Sequence, residues 1–235
     1  MEIIAITKRL AADVDALPFA APTAYIYNPL DYAWAPHEQY LRRFGQGTRE
    51  VLLLGMNPGP FGMAQTGVPF GDPVMVREWM GIEAPVGKPA REHPKRPVEG
   101  FASTRREVSG MRLWGWARDR WGTPEAFFAR CFVANYCPLV FMEESGKNRT
   151  PDKLPAAETA ALYAACDRAL RAIVAIMRPR VAIGIGGFAE ARLLAALAGL
   201  AIPIDRLLHP SPANPQANAG WGDFADAKFA ELGLL

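Results

Sequence analysis

The sequence has little cysteine and no strong excess of charge of either sign. Its 235 residues include only three cysteines, Cys131, Cys137 and Cys166, and the formal net charge is +2. The cysteines show no Cys-x-x-Cys spacing, and the N-terminal residues show no secretory signal pattern, so we expect an intracellular protein in a reducing compartment. We expect the three thiols to be buried as small apolar groups rather than to bind a metal.

Long apolar runs, linkers and internal repeats are also missing. No apolar stretch reaches the roughly 18 to 20 residues that cross a bilayer, so membrane insertion is not expected. Half of the residues are apolar and no Ser/Gly-rich linker divides the chain, which predicts a single domain over residues 1–235. A mixed run of charges between Lys88 and Arg112 fits either a solvated surface, the commoner case, or contacts with phosphate.

Short apolar runs and helical periodicity alternate along the chain. Strands are predicted over residues 51–54, 131–135, 181–185 and 205–208, and helices over 37–44, 111–119, 124–129, 156–177, 188–197 and 221–232. The strand runs are continuously apolar, which is typical of a parallel sheet buried on both faces. We therefore predict an α/β, three-layer sandwich whose central, mostly parallel four-stranded sheet is flanked by helices. In such sheets the ligand lies at the carboxyl ends of the strands.

Two of the segments that follow predicted strands have the composition of a functional site. Residues 55–71 are dense in Gly and Pro, which shape the backbone instead of filling a core. After the last strand, His209 begins a Pro-stiffened loop of small polar residues that runs to Trp221. A lone His is more often structural, but its place at the carboxyl end of a strand favours catalysis here.

These two segments carry a resemblance to a known family. GMNPGPFGMAQTGVPFG (55–71) and HPSPANPQAN (209–218) are similar to the two active-site motifs of the single-strand-selective monofunctional uracil-DNA glycosylases, in the uracil-DNA glycosylase superfamily. The resemblance extends to YNPLDYAWAPHEQY, EHPKRPVEG, EVSGMRLWGW, NYCPL and the closing ELGLL, and so covers nearly the whole chain. It implies an enzyme that flips uracil, or a damaged relative of it, out of DNA and hydrolyses its N-glycosidic bond.

The resemblance implies two catalytic residues. Asn57 matches the asparagine that positions the attacking water, and because an amide cannot take up a proton at neutral pH, it cannot be a general base. The glycosidic bond is then expected to break largely before water attacks, giving an oxocarbenium-like sugar and a uracil anion. His209 matches the residue that donates to O2 of uracil, where a donor contributes on the order of 3 to 4 kcal/mol. Whether its ring is neutral or cationic stays open.

Five further positions match residues that contact the base. Asn135 matches the amide that reads O4 and N3–H of the flipped uracil. Phe70 matches the aromatic ring that stacks on the base, with ordinary core packing as its alternative role, and Met56 and Met63 are expected to line the pocket. Gly59 matches a position where glycosylases of narrower range carry a bulky ring against C5, so 5-hydroxymethyluracil is expected to enter.

The loop of the second motif is expected to contact DNA through Ser211, Pro212, Ala213, Asn214 and Pro215. In the family this loop pushes into the duplex as the base leaves. The sequence departs from the family here, because members carry Arg where this chain has Ala213 and often Lys where it has Ala219. The departure affects binding to double-stranded DNA and not the cleavage of the glycosidic bond.

The implied partners are single- and double-stranded DNA that contain uracil or damaged uracil. No metal or other cofactor is expected, and the protein is expected to act as a monomer, in the nucleoid of a bacterium or the nucleus of a eukaryote. A non-catalytic protein that binds damaged bases is the main competing hypothesis, although both Asn57 and His209 are present.

Two further hypotheses have less support in the sequence. Gly184, Gly186 and Ala189 satisfy the dinucleotide-binding pattern G-x-G-x-x-A. The acidic residue that should follow, Asp205, opens the next predicted strand instead of closing it, the wrong end to reach a ribose. An iron–sulfur glycosylase would require four cysteine ligands, and the chain has three cysteines.

Overall fold

The computed structural model describes residues 2–235. The helices are α1 (Glu2–Asp15), α2 (Pro29–Tyr32), α3 (Trp34–Phe44), α4 (Met63–Thr66), α5 (Val108–Trp121), α6 (Pro124–Arg130), α7 (Ala156–Met177), α8 (Gly187–Ala196), α9 (Pro215–Asn218) and α10 (Trp221–Glu231). The strands are β1 (Tyr25–Tyr27), β2 (Val51–Gly55), β3 (Cys131–Asn135), β4 (Val140–Met142), β5 (Asn148–Arg149), β6 (Val181–Ile185) and β7 (Ile204–Leu207). Short π and 3₁₀ turns lie at Met75–Trp79, Gly100–Ala102 and Pro151–Lys153.

The central sheet consists of the four predicted strands. They are parallel throughout and lie in the order β3-β2-β6-β7. Every residue of β2, β3 and β6 is buried except Asn135, the last residue of β3. Burial on both faces explains the continuous apolar runs, since a side chain on either face of the sheet meets a helix.

Two groups of helices flank this sheet. In the first group α7 packs against α1 and α8, and α8 lies on β6 and β7. In the second group α5 packs against α6 and α10, and α10 contacts β7. The predicted α/β class with a helix-flanked sheet is confirmed.

All six predicted helices are present, and the starts of three of them are shifted, that of α8 by a single residue. Both α3 and α5 begin three residues earlier than predicted. The early start of α5 has a clear cause, because the side chain of Glu107 accepts a hydrogen bond from Gly110 N and caps the helix.

Helix α1 and a second, smaller sheet were not predicted. The buried residues Ile3, Thr7, Leu10 and Val14 of α1 follow helical spacing, so the signal for this helix was present. The second sheet is antiparallel, in the order β1-β4-β5. Its strands have only two or three residues, too few to show a period.

The three cysteines are buried and unpaired, which confirms the expectation of apolar packing. Burial raises the pKa of the Cys131 thiol to about 12, so it carries no thiolate near neutral pH. No helix among residues 2–235 is long and apolar enough to span a bilayer.

Candidate active site

A cleft of about 350 Å³ opens where the parallel strands end. Three strand ends contribute to it. The segment 56–70 follows β2, Asn135 is the last residue of β3, and His209 follows β7. The lining residues are Met56, Asn57, Pro58, Gly59, Met63, Phe70, Glu107, Ser109, Asn135, Asn148, Thr150, His209 and Ser211. The carboxyl ends of parallel strands meet at one edge of a sheet, which is why segments distant in sequence share this cleft.

All seven residues predicted to bind the base or to act in catalysis line the cleft, and so does Ser211. The other predicted DNA contacts lie outside the lining, on the loop that follows His209. Pro212, Ala213 and Pro215 are exposed there, and Asn214 is partly buried. Across residues 2–235, no group of three His, Cys, Asp or Glu side chains is arranged to hold a metal ion.

The side chain of Asn57 is held by its amide nitrogen. Nδ2 donates to the Leu139 carbonyl at 3.0 Å and lies 3.3 Å from the Pro58 carbonyl. Both partners are acceptors, so the amide orientation is determined and Oδ1 is left to accept from another donor. A water molecule that donates to this oxygen would be oriented within the cleft.

The protonation of His209 follows from its hydrogen bond. Ser211 N donates to Nδ1 of the ring at 3.1 Å, so in the neutral ring the proton resides on Nε2. Burial lowers the pKa of His209 below its ordinary value of 6.5. Near pH 7 the ring is therefore neutral, and its remaining donor is Nε2–H.

Gly55 allows Asn135 and Phe70 to meet at the end of β2. A Cβ on Gly55 would lie 2.5 Å from Oδ1 of Asn135 and 2.7 Å from the ring of Phe70. Among residues 2–235, the acceptor for Nδ2 of Asn135 is the sulfur of Met63, at 3.4 Å. Because a thioether is a weak acceptor, the carbonyl oxygen of a base could replace it as partner.

The backbone at Phe70 adopts an unusual conformation. Its φ is +53°, in the left-handed region that a residue with a Cβ rarely adopts. The Phe70 carbonyl accepts from Trp114 Nε1 at 2.9 Å and from Asp72 N at 2.8 Å, and these bonds hold the strained residue. Strain of this kind is concentrated at functional sites, where it aims a side chain.

The space around Gly59 is open. A Cβ built on this residue would meet no atom within 4 Å. The open wall of the cleft at this point has room for a larger ligand or for a larger side chain.

Glu107 and Ser109 line the cleft, and neither was predicted as a site residue. Burial raises the pKa of Glu107 to about 7. Its side chain packs against Gly62, where a Cβ would lie 2.7 Å from Cγ of Glu107. Both residues belong to the EVSGMRLWGW stretch, whose resemblance to the family was the available signal.

Asn148 and Thr150 reach the cleft from the small antiparallel sheet. Asn148 lies in β5, and Thr150 follows that strand. No local pattern in the sequence marked these two residues, because the sheet that positions them was not predicted.

The loop that begins at His209 is pre-formed by its own hydrogen bonds. Asn214 N donates to the Ser211 carbonyl at 3.0 Å, and Asn214 Oδ1 caps α9 by accepting from Gln216 N at 3.1 Å. Arg112 spans the loop, donating to the Pro210 carbonyl at 3.0 Å and to Asn218 Oδ1 at 2.8 Å. The loop is thus shaped by side chains other than that of Ala213.

The glycines of the G-x-G-x-x-A pattern serve packing. A Cβ on Gly184 would lie 2.2 Å from the backbone nitrogen of Glu190, so this glycine lets α8 approach β6. Gly186 has φ of +91°, and a Cβ there would lie 3.3 Å from Cβ of His209. Asp205 lies near the start of β7, where it pairs with Lys228 at 3.0 Å, so it is not placed to bind a ribose.

Comparison with known proteins gives concordant matches. The family model described as uracil DNA glycosylase superfamily matches residues 43–231. The single-strand selective monofunctional uracil DNA glycosylase of Mus musculus is 52% identical over 229 residues, which are 97% of this chain and 82% of that protein. The Bos taurus protein of the same name is 49% identical over 229 residues, 97% of this chain and 84% of its own.

A solved structure shares the fold. The crystal structure of wild-type SMUG2 from Pedobacter heparinus superposes with a TM-score of 0.67 and covers 97% of each chain. Its sequence identity to this chain is 21%, so the likeness concerns the fold alone.

Proposed function

The chain belongs to the uracil-DNA glycosylase superfamily, and from this membership we propose that it hydrolyses the N-glycosidic bond of uracil in DNA. The proposal extends to 5-substituted uracils such as 5-hydroxymethyluracil, and to both single- and double-stranded DNA. The observation that carries it is the convergence of Asn57, Asn135, Phe70 and His209 in one cleft at the sheet edge.

Asn135 and Phe70 bind the flipped base. The carboxamide of Asn135 donates to O4 of uracil and accepts from N3–H, whereas cytosine presents the reverse pattern and is rejected. Phe70 stacks on the face of the base, and its strained backbone fixes the ring against the end of β2.

His209 stabilises the departing uracil. As the bond between C1′ and N1 breaks, its electron pair stays on the base and negative charge develops on O2. The Nε2–H of the neutral ring donates to that oxygen, and a donor that is already oriented costs no reorganisation during the reaction.

Asn57 supplies water to the sugar. Its Oδ1, left free by the two bonds of Nδ2, accepts from a water whose oxygen adds to C1′ of the oxocarbenium-like sugar. The proton lost by that water balances the one that the uracil anion takes up. The products are free uracil and an abasic site.

No lysine is among the described residues that line the cleft. A glycosylase that also nicks the strand uses an amine to form a Schiff base with the sugar. The abasic site should therefore remain intact, and borohydride should trap no covalent protein–DNA adduct.

The decisive experiment is a single-turnover assay with one uracil in a single-stranded oligonucleotide. Release of free uracil, with strand cleavage only after alkali, supports the proposal. Tight binding of uracil-containing DNA without release of uracil would contradict it and establish the non-catalytic damaged-base-binding role.

A further inference from the structure

Two arginine side chains lie over one aromatic ring close to the cleft. Cζ of Arg96 is 5.4 Å from the ring centroid of Phe61, and Cζ of Arg105 is 5.1 Å from it. Phe61 is half-buried, while Arg105 is exposed, as is Lys95, which precedes Arg96 in the chain. These four residues, Phe61, Lys95, Arg96 and Arg105, are called the Phe61 patch below.

The positive charges of the Phe61 patch are not neutralised. Other cations of the same stretch form ion pairs: Lys88 with Glu92 at 3.0 Å, Arg91 with Glu144 at 3.1 Å, and Arg106 with Asp72 at 2.8 Å. Within residues 2–235, no carboxylate lies within ion-pair distance of the three cations of the patch. On a chain of net charge +2, three unpaired cations concentrate positive potential at one place.

A buried glutamine holds the two sides of the patch together. Nε2 of Gln65 donates to the carbonyls of Pro60 at 2.8 Å and Pro97 at 3.0 Å, and Oε1 accepts from Glu99 N at 2.8 Å. The segments that carry Phe61 and Arg96 are thereby joined. The side chain is only 2% exposed, so its hydrogen bonds are shielded from competing water.

The anchored neighbours of Arg105 place the patch beside the cleft. Both oxygens of Asp72 accept from the Arg106 side chain at 2.8 Å, and Oδ2 also accepts from the backbone nitrogen of the cleft residue Glu107 at 3.0 Å. Phe61 lies between Gly59, which lines the cleft, and Gly62, which packs against the cleft residue Glu107. A strand of DNA whose base occupies the cleft would therefore pass near the patch.

We propose that the Phe61 patch binds the single-stranded DNA that flanks the flipped nucleotide. An unpaired neighbouring base stacks against Phe61, while Lys95, Arg96 and Arg105 contact phosphates. Base faces are free in a single strand but occupied by stacking in a duplex, so this surface favours the single strand. The inference rests on the proposed excision of uracil from DNA for its choice of ligand.

The test measures binding of the full chain to a fluorescent single-stranded oligonucleotide that carries a tetrahydrofuran abasic analogue, which cannot be cleaved. Phe61→Ala and Phe61→Leu should each weaken binding by about fivefold or more, because stacking of a base on the ring is lost. Arg105→Gln should flatten the slope of log K against log salt by about 0.7. Arg118→Gln is the matched control, since Arg118 is exposed at the far end of α5 and pairs with Asp119.

Different outcomes separate this inference from the proposed function. Unchanged single-strand binding in the Phe61 variants, with unchanged melting temperatures, would contradict the proposal that the Phe61 patch binds DNA. Equal losses on single-stranded and duplex oligonucleotides would also overturn it, because stacking on a free base predicts a selective loss. Uracil release by the unmodified protein is measured separately, on a matched uracil oligonucleotide. Absence of release would refute the proposed function, but the binding measurement could still be interpreted.

Discussion

Asn57 and His209 follow different strands and should assist different events in the same reaction. Asn57→Ala should lower the single-turnover rate on uracil on the order of 10²-fold or more with near-normal DNA binding, because water orientation matters only in the transition state. His209→Ala should cause a loss of similar size through weaker stabilisation of the uracil anion. A variant that kept the full rate would show that the role given to that residue is wrong.

The two losses can be told apart with a better leaving group. The anion of 5-fluorouracil needs less stabilisation than that of uracil, so the defect of His209→Ala should shrink on this substrate. The defect of Asn57→Ala should not, since it concerns the attacking water. Binding to the tetrahydrofuran oligonucleotide serves as the control for both variants.

Gly59 leaves the wall of the cleft open, and this should set the tolerance for 5-substituents. Gly59→Tyr should exclude 5-hydroxymethyluracil while retaining part of the activity on uracil, because a ring at this position is a steric block. The measurement is the ratio of single-turnover rates on the two bases. Equal losses on both would mean that the glycine serves the backbone and not the pocket.

At the scale of the elements, Glu107 joins the start of α5 to the cleft wall. Its pKa is raised from 4.5 to about 7, so folding favours the protonated form. The stabilisation from this group is complete below about pH 4.5 and is lost as the pH rises through 7, where the buried carboxyl becomes charged. The wild-type protein should therefore lose stability over this range.

Glu107→Gln removes that dependence and keeps an oxygen to accept from Gly110 N. The melting temperature of the variant, relative to wild type, should rise between pH 5 and pH 8. Glu144→Gln is the control, because Glu144 is exposed and pairs with Arg91. Its difference in melting temperature from wild type should not change with pH. A level difference for Glu107→Gln as well would show that the carboxyl does not titrate between pH 5 and pH 8 in the folded protein.

The loop after His209 is the second element with a measurable consequence. Flipping a base from a duplex costs a few kcal/mol of unstacking and unpairing, most of which is absent in single strands. Arg at position 213 can fill the vacated stack and contact phosphate, but Ala213 can do neither. This protein should therefore favour single-stranded or mismatched uracil over paired uracil more strongly than relatives with Arg do.

Ala213→Arg should raise the rate on duplex substrate with little change on single strands. A new phosphate contact should also steepen the salt dependence of duplex binding by about one counterion. Single-turnover rates on U·A duplex, U·G duplex and single strands at two salt concentrations test this. An unchanged duplex to single-strand ratio would mean that other residues of the loop push into the duplex, with Pro212 and Asn214 nearest.

At the scale of the whole molecule, one hydrophobic cluster extends from Ile3 in α1 to Leu234 near the C-terminus. The central strand β2 pairs with both β3 and β6, so the sheet needs segments from most of the chain. A continuous core of this kind predicts one cooperative unfolding transition. If the chain forms the single domain that the sequence predicts, this transition should account for all of the unfolding.

Heating should abolish uracil release and far-ultraviolet circular dichroism at the same midpoint. The cleft is built from the ends of the sheet strands, and it should persist only while the sheet does. Loss of activity at a clearly lower temperature, with the dichroism intact, would mean that the loops of the cleft unfold separately.

The local pattern of the sequence was enough for the central sheet, six of the helices and the two loops of the site, but α1 was missed although its apolar spacing is helical. Continuous apolar runs mark β2, β3 and β6 because burial on both faces leaves no alternation, and this signal is contained within five residues. The Gly- and Pro-rich composition of residues 55–71 is equally local, since it reports backbone shape directly.

Only the tertiary structure decided which other groups line the cleft, where the proton of His209 resides and which charges near the cleft are paired. Glu107, Asn148 and Thr150 come from segments far from both motifs, and their arrival depends on helix packing and on a sheet of very short strands. The position of the proton on His209 depends on the bond from Ser211 N, which exists only once the loop has folded. The unpaired charge of the Phe61 patch likewise depends on which carboxylates the fold brings near each arginine, because ion pairs form in space and not along the chain.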